Sequence, residues 1–210
     1  MDSAFRDFQV RLARMLTNQL NSRIQLQPHD MVCTSTMQII VSTHYKINCQ
    51  ITPYKYLKVN YKSSITWREE TNFLRTNPSF NKQPRYDYVL IQVDNSQNGQ
   101  TCICAQLLEV FGITIHGTVY HIALVLPLDE HIPMGEGHHA HDNALRFTRI
   151  WARHRSKAVF IMVESIICGA LLAPASSEPE QMDEHLVIDV IDEDMWWRMK
   201  SVKLVYNVKL

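Results

Sequence analysis

Residues able to do chemistry are few in this chain, and most of them crowd into one stretch. His131, Glu136, His138, His139, His141 and Asp142 fall within twelve residues. Neutral imidazoles and carboxylates so close together could hold a divalent transition metal. The His-His-x-His spacing lacks the i, i+4 geometry of a helical metal motif, and two glycines just before it loosen the loop. His138, His139 and His141 are therefore weak metal candidates, and the stretch reads first as an exposed polar loop. Cys102 and Cys104 form a CxC pair whose side chains share one strand face. A zinc site there would need Cys168 or the histidines as partners, so buried free thiols are the simpler expectation.

The carboxylates allow one enzymatic reading. Asp94 closes one apolar run and Glu164 lies in another, with hairpin strands and a possible helix at 145–154 between them. That order is similar to an RNase H-like nuclease core, in which Asp94, Glu164 and Asp192 would hold two magnesium ions. Against it, Asp94 falls at the edge of an Asn-Gly turn rather than within the strand, and no DGS-like turn is present. No GxSxG, P-loop or GxGxxG motif occurs, which removes the usual hydrolase, phosphate-binding and dinucleotide signatures. No cofactor is expected.

Cations interleaved with rings give a third signal. Residues 54–56 (YKY), Lys58, Tyr61-Lys62, Trp67-Arg68 and residues 146–157 mix Lys or Arg with aromatics. That mixture suits phosphate contact and stacking, and equally suits amphipathic side chains lying over a β surface. The zero net charge hides a matching asymmetry: residues 1–90 carry +6 and residues 91–210 carry −6.

The elements that must position these groups are mostly strands. Apolar, β-branched runs at 86–93, 102–111, 118–128, 158–167 and 185–191 are cut by polar or glycine-containing turns. Asn98-Gly99 predicts a hairpin reversal, and Gly112 and Gly117 bracket a second. Residues 54–61 alternate, with Tyr54, Tyr56, Lys58 and Asn60 on one face and Lys55, Leu57, Val59 and Tyr61 on the other. The exception is the start: residues 3–21 read as an amphipathic helix capped by Ser3, with Phe5, Phe8, Leu12, Met15, Leu16 and Leu20 as its stripe. Packing of that stripe onto the chain's own β domain is the expected arrangement. A short helix is expected in 63–75, a loop in 76–84, a strand rather than a helix at 145–155, and a last strand at 202–208. The domain reading is an N-terminal helix and short strand over 1–44, an extended arm over 45–84 and a β domain over 85–210.

With 46% hydrophobic and 20% charged residues, the chain can bury a core. Five irregularly spaced cysteines imply free thiols in a reducing compartment. No run approaches the roughly 18 apolar residues of a membrane span, and the first twenty residues lack an apolar signal core. The expectation is an intracellular, nuclear or cytoplasmic protein without a membrane partner.

Residues 56–67 (YLKVNYKSSITW), 73–93 (FLRTNPSFNKQPRYDYVLIQV), 105–111 with 120–127, and 163–172 with 187–195 (VIDVIDEDM) together resemble the C-terminal region of basidiomycete fungal transposon proteins of the Plavaka and Kyakuja–Dileera–Zisupton kind. The resemblance covers about residues 45–195. It implies a segment whose nuclease, where present, lies upstream, so that this chain is a fragment or derivative without it. The succession AQLLEVF, YHIALVLPL and FIMVESIICGALLAP also resembles a bromo-adjacent-homology domain. That likeness implies a barrel-like β fold binding a histone tail or another protein, with an aromatic cage for methylated lysine. Trp151, Trp196, Trp197 and Tyr120 are the cage candidates, with Arg149 and Arg153 beside them. The reading is a mainly β, barrel-like domain with an N-terminal amphipathic helix: a non-catalytic interaction module, transposon-derived and associated with chromatin or DNA. Its alternatives are the nuclease remnant and a relic without selected function.

Overall fold

The computed structural model describes residues 2–20, 40–42, 45–46, 50–95, 99–115, 117–129, 148–175, 183–188, 192–201 and 203–204. Its described strands are β1 (Ile40–Ser42), β2 (Tyr45–Lys46), β3 (Gln50–Tyr54), β4 (Tyr56–Lys62), β5 (Glu69–Phe80), β6 (Gln83–Tyr86), β7 (Tyr88–Asn95), β8 (Gly99–Ile115), β9 (Thr118–Pro127), β10 (Thr148–Trp151), β11 (Val159–Met162), β12 (Ile166–Ala170), β13 (Leu172–Pro174), β14 (Glu184–Val187) and β15 (Lys203–Leu204). The described α-helices are α1 (Phe8–Leu20) and α2 (Glu193–Ser201). The protein is mainly β.

The long strand β8 organises everything. β7 pairs with its residues 99–106 and β3 with 110–114 along one edge. β15 pairs with 101–102 and β9 with 105–115 along the other. The main path runs β11-β9-β8-β7-β12. A bulge at Leu107/Glu109 inserts one residue into β8, bending the strand and swapping which parity faces which core. Before it, Cys102, Cys104 and Leu108 face one core and Ile103, Ala105 and Leu107 the other; after it, Phe111, Ile113 and Ile115 join the first.

The sheet curls. Its two outer strands, β11 and β12, are joined by the 3-10 turn Val163–Ser165 alone. Four chain steps reach at most about 14 Å, whereas four strand spacings across a flat sheet are about 19 Å. The outer strands must therefore approach each other, although no pairing joins them among the described residues. The result is a curled sheet that, among the described residues, is not closed into a barrel.

Both faces of the sheet are covered, which is why its strands read as nearly continuous apolar runs. Over one face lie α1 and the small sheet β10-β14-β13. Over the other lies the β4–β5 hairpin, through Val59 and Leu74. α1 packs in cis. Leu12 and Leu16 are fully buried, each contributing about 1.5–3 kcal/mol of apolar transfer. The Phe8 ring meets Phe160 edge-on at 4.9 Å and Phe111 at 5.7 Å. Arg11 donates to the carbonyls of Ala4, Arg6 and Ala158, and Asp2 pairs with Arg155 at 2.7 Å. The cap is Asp2, not Ser3: it accepts from the Ala4 amide and starts a 3-10 turn, Ser3–Phe5. Asp7 at φ +50° separates that turn from α1.

Three local expectations are corrected. Residues 69–75 form the first part of β5, because every one of them from Glu69 to Arg75 pairs across β4, so tertiary pairing overrides the capping signal at Ser64 and Thr66. Residues 76–84 are not a loop: β5 continues and turns into β6 through Asn81 and Lys82, both at positive φ (49° and 67°), a two-residue reversal matched to strand twist. Gly112 is no turn residue; it sits inside β8 opposite Thr52 and His121, and only Gly117, at φ +78°, serves the reversal between Ile115 and Thr118. The tail forms α2, capped by Asp192, which accepts from the Asp194 and Met195 amides. Lys203 and Leu204 form a short strand, parallel to β8, within the expected last strand 202–208, whose other residues lie outside the described residues.

The run 158–167 is not one strand: the 3-10 turn Val163–Ser165 breaks it, and its two parts join β11 and β12 at opposite edges of the main sheet. β7 and β8 pair through Asn95 and Gly99, bracketing the expected hairpin turn, whose residues 96–98 lie outside the described set. Residues 148–151 are strand β10, not helix.

Candidate functional site

The β4–β5–β6 sheet has one face on the core and one in solvent. Leu57, Val59 and Tyr61 turn inward with Leu74 and Thr76, while Tyr56, Lys58, Asn60 and Lys62 turn outward. Register places Tyr56 opposite Arg75, Lys58 opposite Phe73, Asn60 opposite Thr71 and Lys62 opposite Glu69. Cross-strand neighbours on one face touch, so cation and ring alternate in both directions over Tyr56, Arg75, Lys58 and Phe73, and the surface continues through Asn60 and Thr71 to Lys62 and Glu69. Tyr56 is 62% exposed and Phe73 57%, although burying either ring would be favourable. The alternation of residues 56–61 anticipated this face; Tyr54 departs from it, since it ends β3 and its ring lies against Gly112.

The strip extends at both ends. At one end, the guanidinium groups of Arg75 and Arg85 stand 5.6 and 5.2 Å from the Phe80 ring centre. An open cleft of about 340 Å³ is lined there by Lys55, Tyr56, Phe73, Arg75, Asn77 and Phe80. At the other end, the Lys62 ammonium lies 5.2 Å from the centre of Trp67. Trp67 is 72% exposed and holds φ +59°, a conformation that costs a bulky residue energy. The turn imposes it: Ser63 Oγ accepts from the Ile65 and Thr66 amides, and the Ser63 carbonyl accepts from Trp67. Residues 50–86 carry seven Lys or Arg against two Glu, a surplus of five positive charges.

The residues singled out from the sequence are scattered elsewhere. Arg149 pairs with Glu184 at 2.8 Å. Arg153 grips Asp129, which is 1% exposed, through two bonds of 2.5 and 2.6 Å. Both cations are engaged within the fold. Trp151 is half-buried in β10, and its indole N–H is buried without a hydrogen-bond partner among the described residues. Tyr120 lies seven residues before Pro127, about 23 Å of strand, and the Pro127 carbonyl accepts from the Arg153 amide. Trp196 and Trp197 form an edge-on pair at 5.5 Å on α2, with Trp197 49% exposed. α2 itself is tied to the β4 end, where Asp194 accepts from the Ser64 amide and Arg198 donates to the Lys62 carbonyl. These rings sit on three separate elements, Tyr120 on β9, Trp151 on β10 and the Trp196–Trp197 pair on α2.

Glu164 is exposed in the 3-10 turn between β11 and β12. Asp94 lies in β7 opposite Gln100, and Asp192 caps α2. Among the described residues, no group of three or more His, Cys, Asp or Glu is arranged to hold a metal ion. His131, His138, His139 and His141 lie outside the described residues.

The thiols are placed as structural groups. Cys102 and Cys104 share a face, as strand periodicity requires, and Cys168 joins them in the same core. Burial pushes Cys102 up to about 11 and Cys104 and Cys168 up to about 12. They remain protonated at neutral pH and are poor nucleophiles and metal ligands. His185 and Tyr88 form a second buried pair at 2.8 Å. The Asp183 carbonyl can only accept, so Nδ1 of His185 donates to it, and Nε2 accepts from the Tyr88 hydroxyl. Burial lowers the His185 pKa and raises that of Tyr88, which keeps the pair neutral.

Compared with known proteins, the chain matches no family model, no curated protein and no solved structure. Among the described residues no helix is long and apolar enough to cross a membrane.

Proposed function

We propose that the protein is a non-catalytic interaction module that associates with DNA through the outward face of β4, β5 and β6. The observation that carries this reading is the run of rings and cations there: exposed Tyr56, Lys58, Lys62 and Phe73, half-buried Arg75, and exposed Trp67 in the β4–β5 turn. Cations there neutralise phosphates and release counterions. The buried thiols, engaged arginines and scattered carboxylates favour binding over catalysis. The resemblance to fungal transposon proteins supports a nuclear setting near DNA or chromatin, and the bromo-adjacent-homology likeness supports an interaction role.

The test is fluorescence anisotropy of the full chain against labelled DNA in Mg²⁺ over a salt series. Binding should weaken with a log–log slope of about −2 to −3 on a single strand and about −3 to −4 on a duplex, as three or four phosphate contacts require. Lys58→Glu with Arg75→Glu should remove it. Absence of binding at low salt would refute the reading, and cleavage of the labelled DNA would replace it with a nuclease.

A further inference from the structure

We infer that this face takes single-stranded DNA, with bases stacked on Tyr56 and Phe73 and the phosphate backbone following Lys58, Lys62 and Arg75. The inference rests on the DNA-binding reading above and names its substrate. Tyr56 and Phe73 are diagonal neighbours across the β4–β5 ladder, because Tyr56 opposes Arg75 and Phe73 opposes Lys58. Such diagonal positions lie about 7–8 Å apart, so both rings present to one ligand. Each ring has a cation directly opposite on the neighbouring strand. A stacked base on the ring and a phosphate on the cation therefore fit one repeat of a single strand.

A duplex would use this surface poorly. Its bases are already stacked on one another, so the exposed rings would gain nothing from them, and only the cations would contribute. The hairpin also cannot lie in a groove as a free ribbon, since its other face is packed on the central sheet through Val59 and Leu74. Trp67 gives an independent indication. An indole that is 72% exposed, held at φ +59° by the Ser63 turn and faced by Lys62, stands at the end of the same strip. It offers a third stacking platform where the strand would leave the sheet. The surplus of five positive charges in residues 50–86 supplies the complementary field.

The experiment compares four probes with the full chain in the anisotropy assay: a labelled 20-nucleotide DNA strand, its duplex, the same strand with central abasic sites, and an RNA strand of the same sequence. The DNA strand should bind at least tenfold tighter than the duplex and than the abasic strand. Tyr56→Ala with Phe73→Ala should weaken strand binding roughly tenfold or more, as loss of base–aromatic stacking does, and leave duplex binding unchanged. Both side chains are exposed, and the abasic probe tests stacking without any variant. Equal binding of strand, duplex and abasic strand would overturn the inference while leaving phosphate contact intact. RNA binding tenfold tighter than DNA would overturn the choice of DNA. Failure of every probe at low salt, or complete displacement by poly-glutamate of equal charge, would refute the DNA-binding reading beneath it.

Discussion

Phe73 and Leu74 are neighbours in β5, yet they belong to different proteins in effect. Leu74 is buried against the central sheet with Val59 and Val89. Phe73 faces solvent opposite Lys58. The same contrast separates Tyr54 from Tyr56 and Arg153 from Lys58. Inside, every ring and cation named has been committed to the fold: Tyr54 covers Gly112, and Arg153 neutralises Asp129. Outside, rings and cations of the same types remain in water. One β-ladder thus carries stability on one face and a recognition surface on the other, because strand side chains alternate.

Arg153→Met should have the largest effect on stability. It leaves the Asp129 carboxylate buried without its guanidinium partner, and costs about 3–5 kcal/mol. Lys58→Met, which also removes one positive charge, should leave the unfolding midpoint in place and lower DNA affinity instead. Urea titration and anisotropy on both variants would separate the two roles, and equal destabilisation would dissolve the distinction.

Next in size is Leu74→Ala, expected to cost about 2–4 kcal/mol through the cavity it leaves. Gly112→Ala follows at about 1–3 kcal/mol, since its methyl would stand 2.6 Å from the Tyr54 hydroxyl and 3.3 Å from the ring. Tyr54→Phe in the same chain should recover part of that loss. Full stability of Gly112→Ala alone would mean that Tyr54 is as loosely held as Tyr56.

A smaller effect should appear with pH. His185 is kept neutral in the fold by burial, so its folded pKa lies below the unfolded value of about 6.5. Between those two values the unfolded chain binds more protons, and stability therefore rises with pH. The contribution is complete above pH 6.5 and declines as pH falls toward the folded value. Denaturation curves of the parent and His185→Gln across pH 7.5 to 5 should diverge in slope; parallel curves would remove His185 from the account. The smallest change expected is for Phe73→Ala, within about 0.5 kcal/mol, even though the adjacent Leu74→Ala is costly.

Several of these features were legible before any fold was known. The apolar runs named β7, β8, β9, β11 and β14, and the stripe of Phe8, Leu12 and Leu16 named α1 and its buried face. The alternation in residues 56–61 separated Lys58 from Val59. Residues 69–80 were misread because Glu69, Glu70 and Asn72 favour no strand by themselves, and only pairing with β4 makes them one. Trp196 and Trp197 gave ring chemistry without position, and the helix that carries them is fixed by the Asp192 cap and by anchoring of Asp194 and Arg198 near Ser64 and Lys62. Arg149 and Arg153 looked available because their partners, Glu184 and Asp129, lie 35 and 24 residues away.

By itself the sequence determined a mainly β chain with an amphipathic helix at its start, the pairing of Cys102 with Cys104 on one face, and the basic–aromatic character of residues 54–85. These follow from periodicity and side-chain type, which are local. Only the tertiary structure decided which cations were already engaged, which rings stayed in water, and that the sheet curls until β11 and β12 approach. Those outcomes depend on long-range pairing and burial, and the energies that set them belong to contacts between residues far apart in the chain.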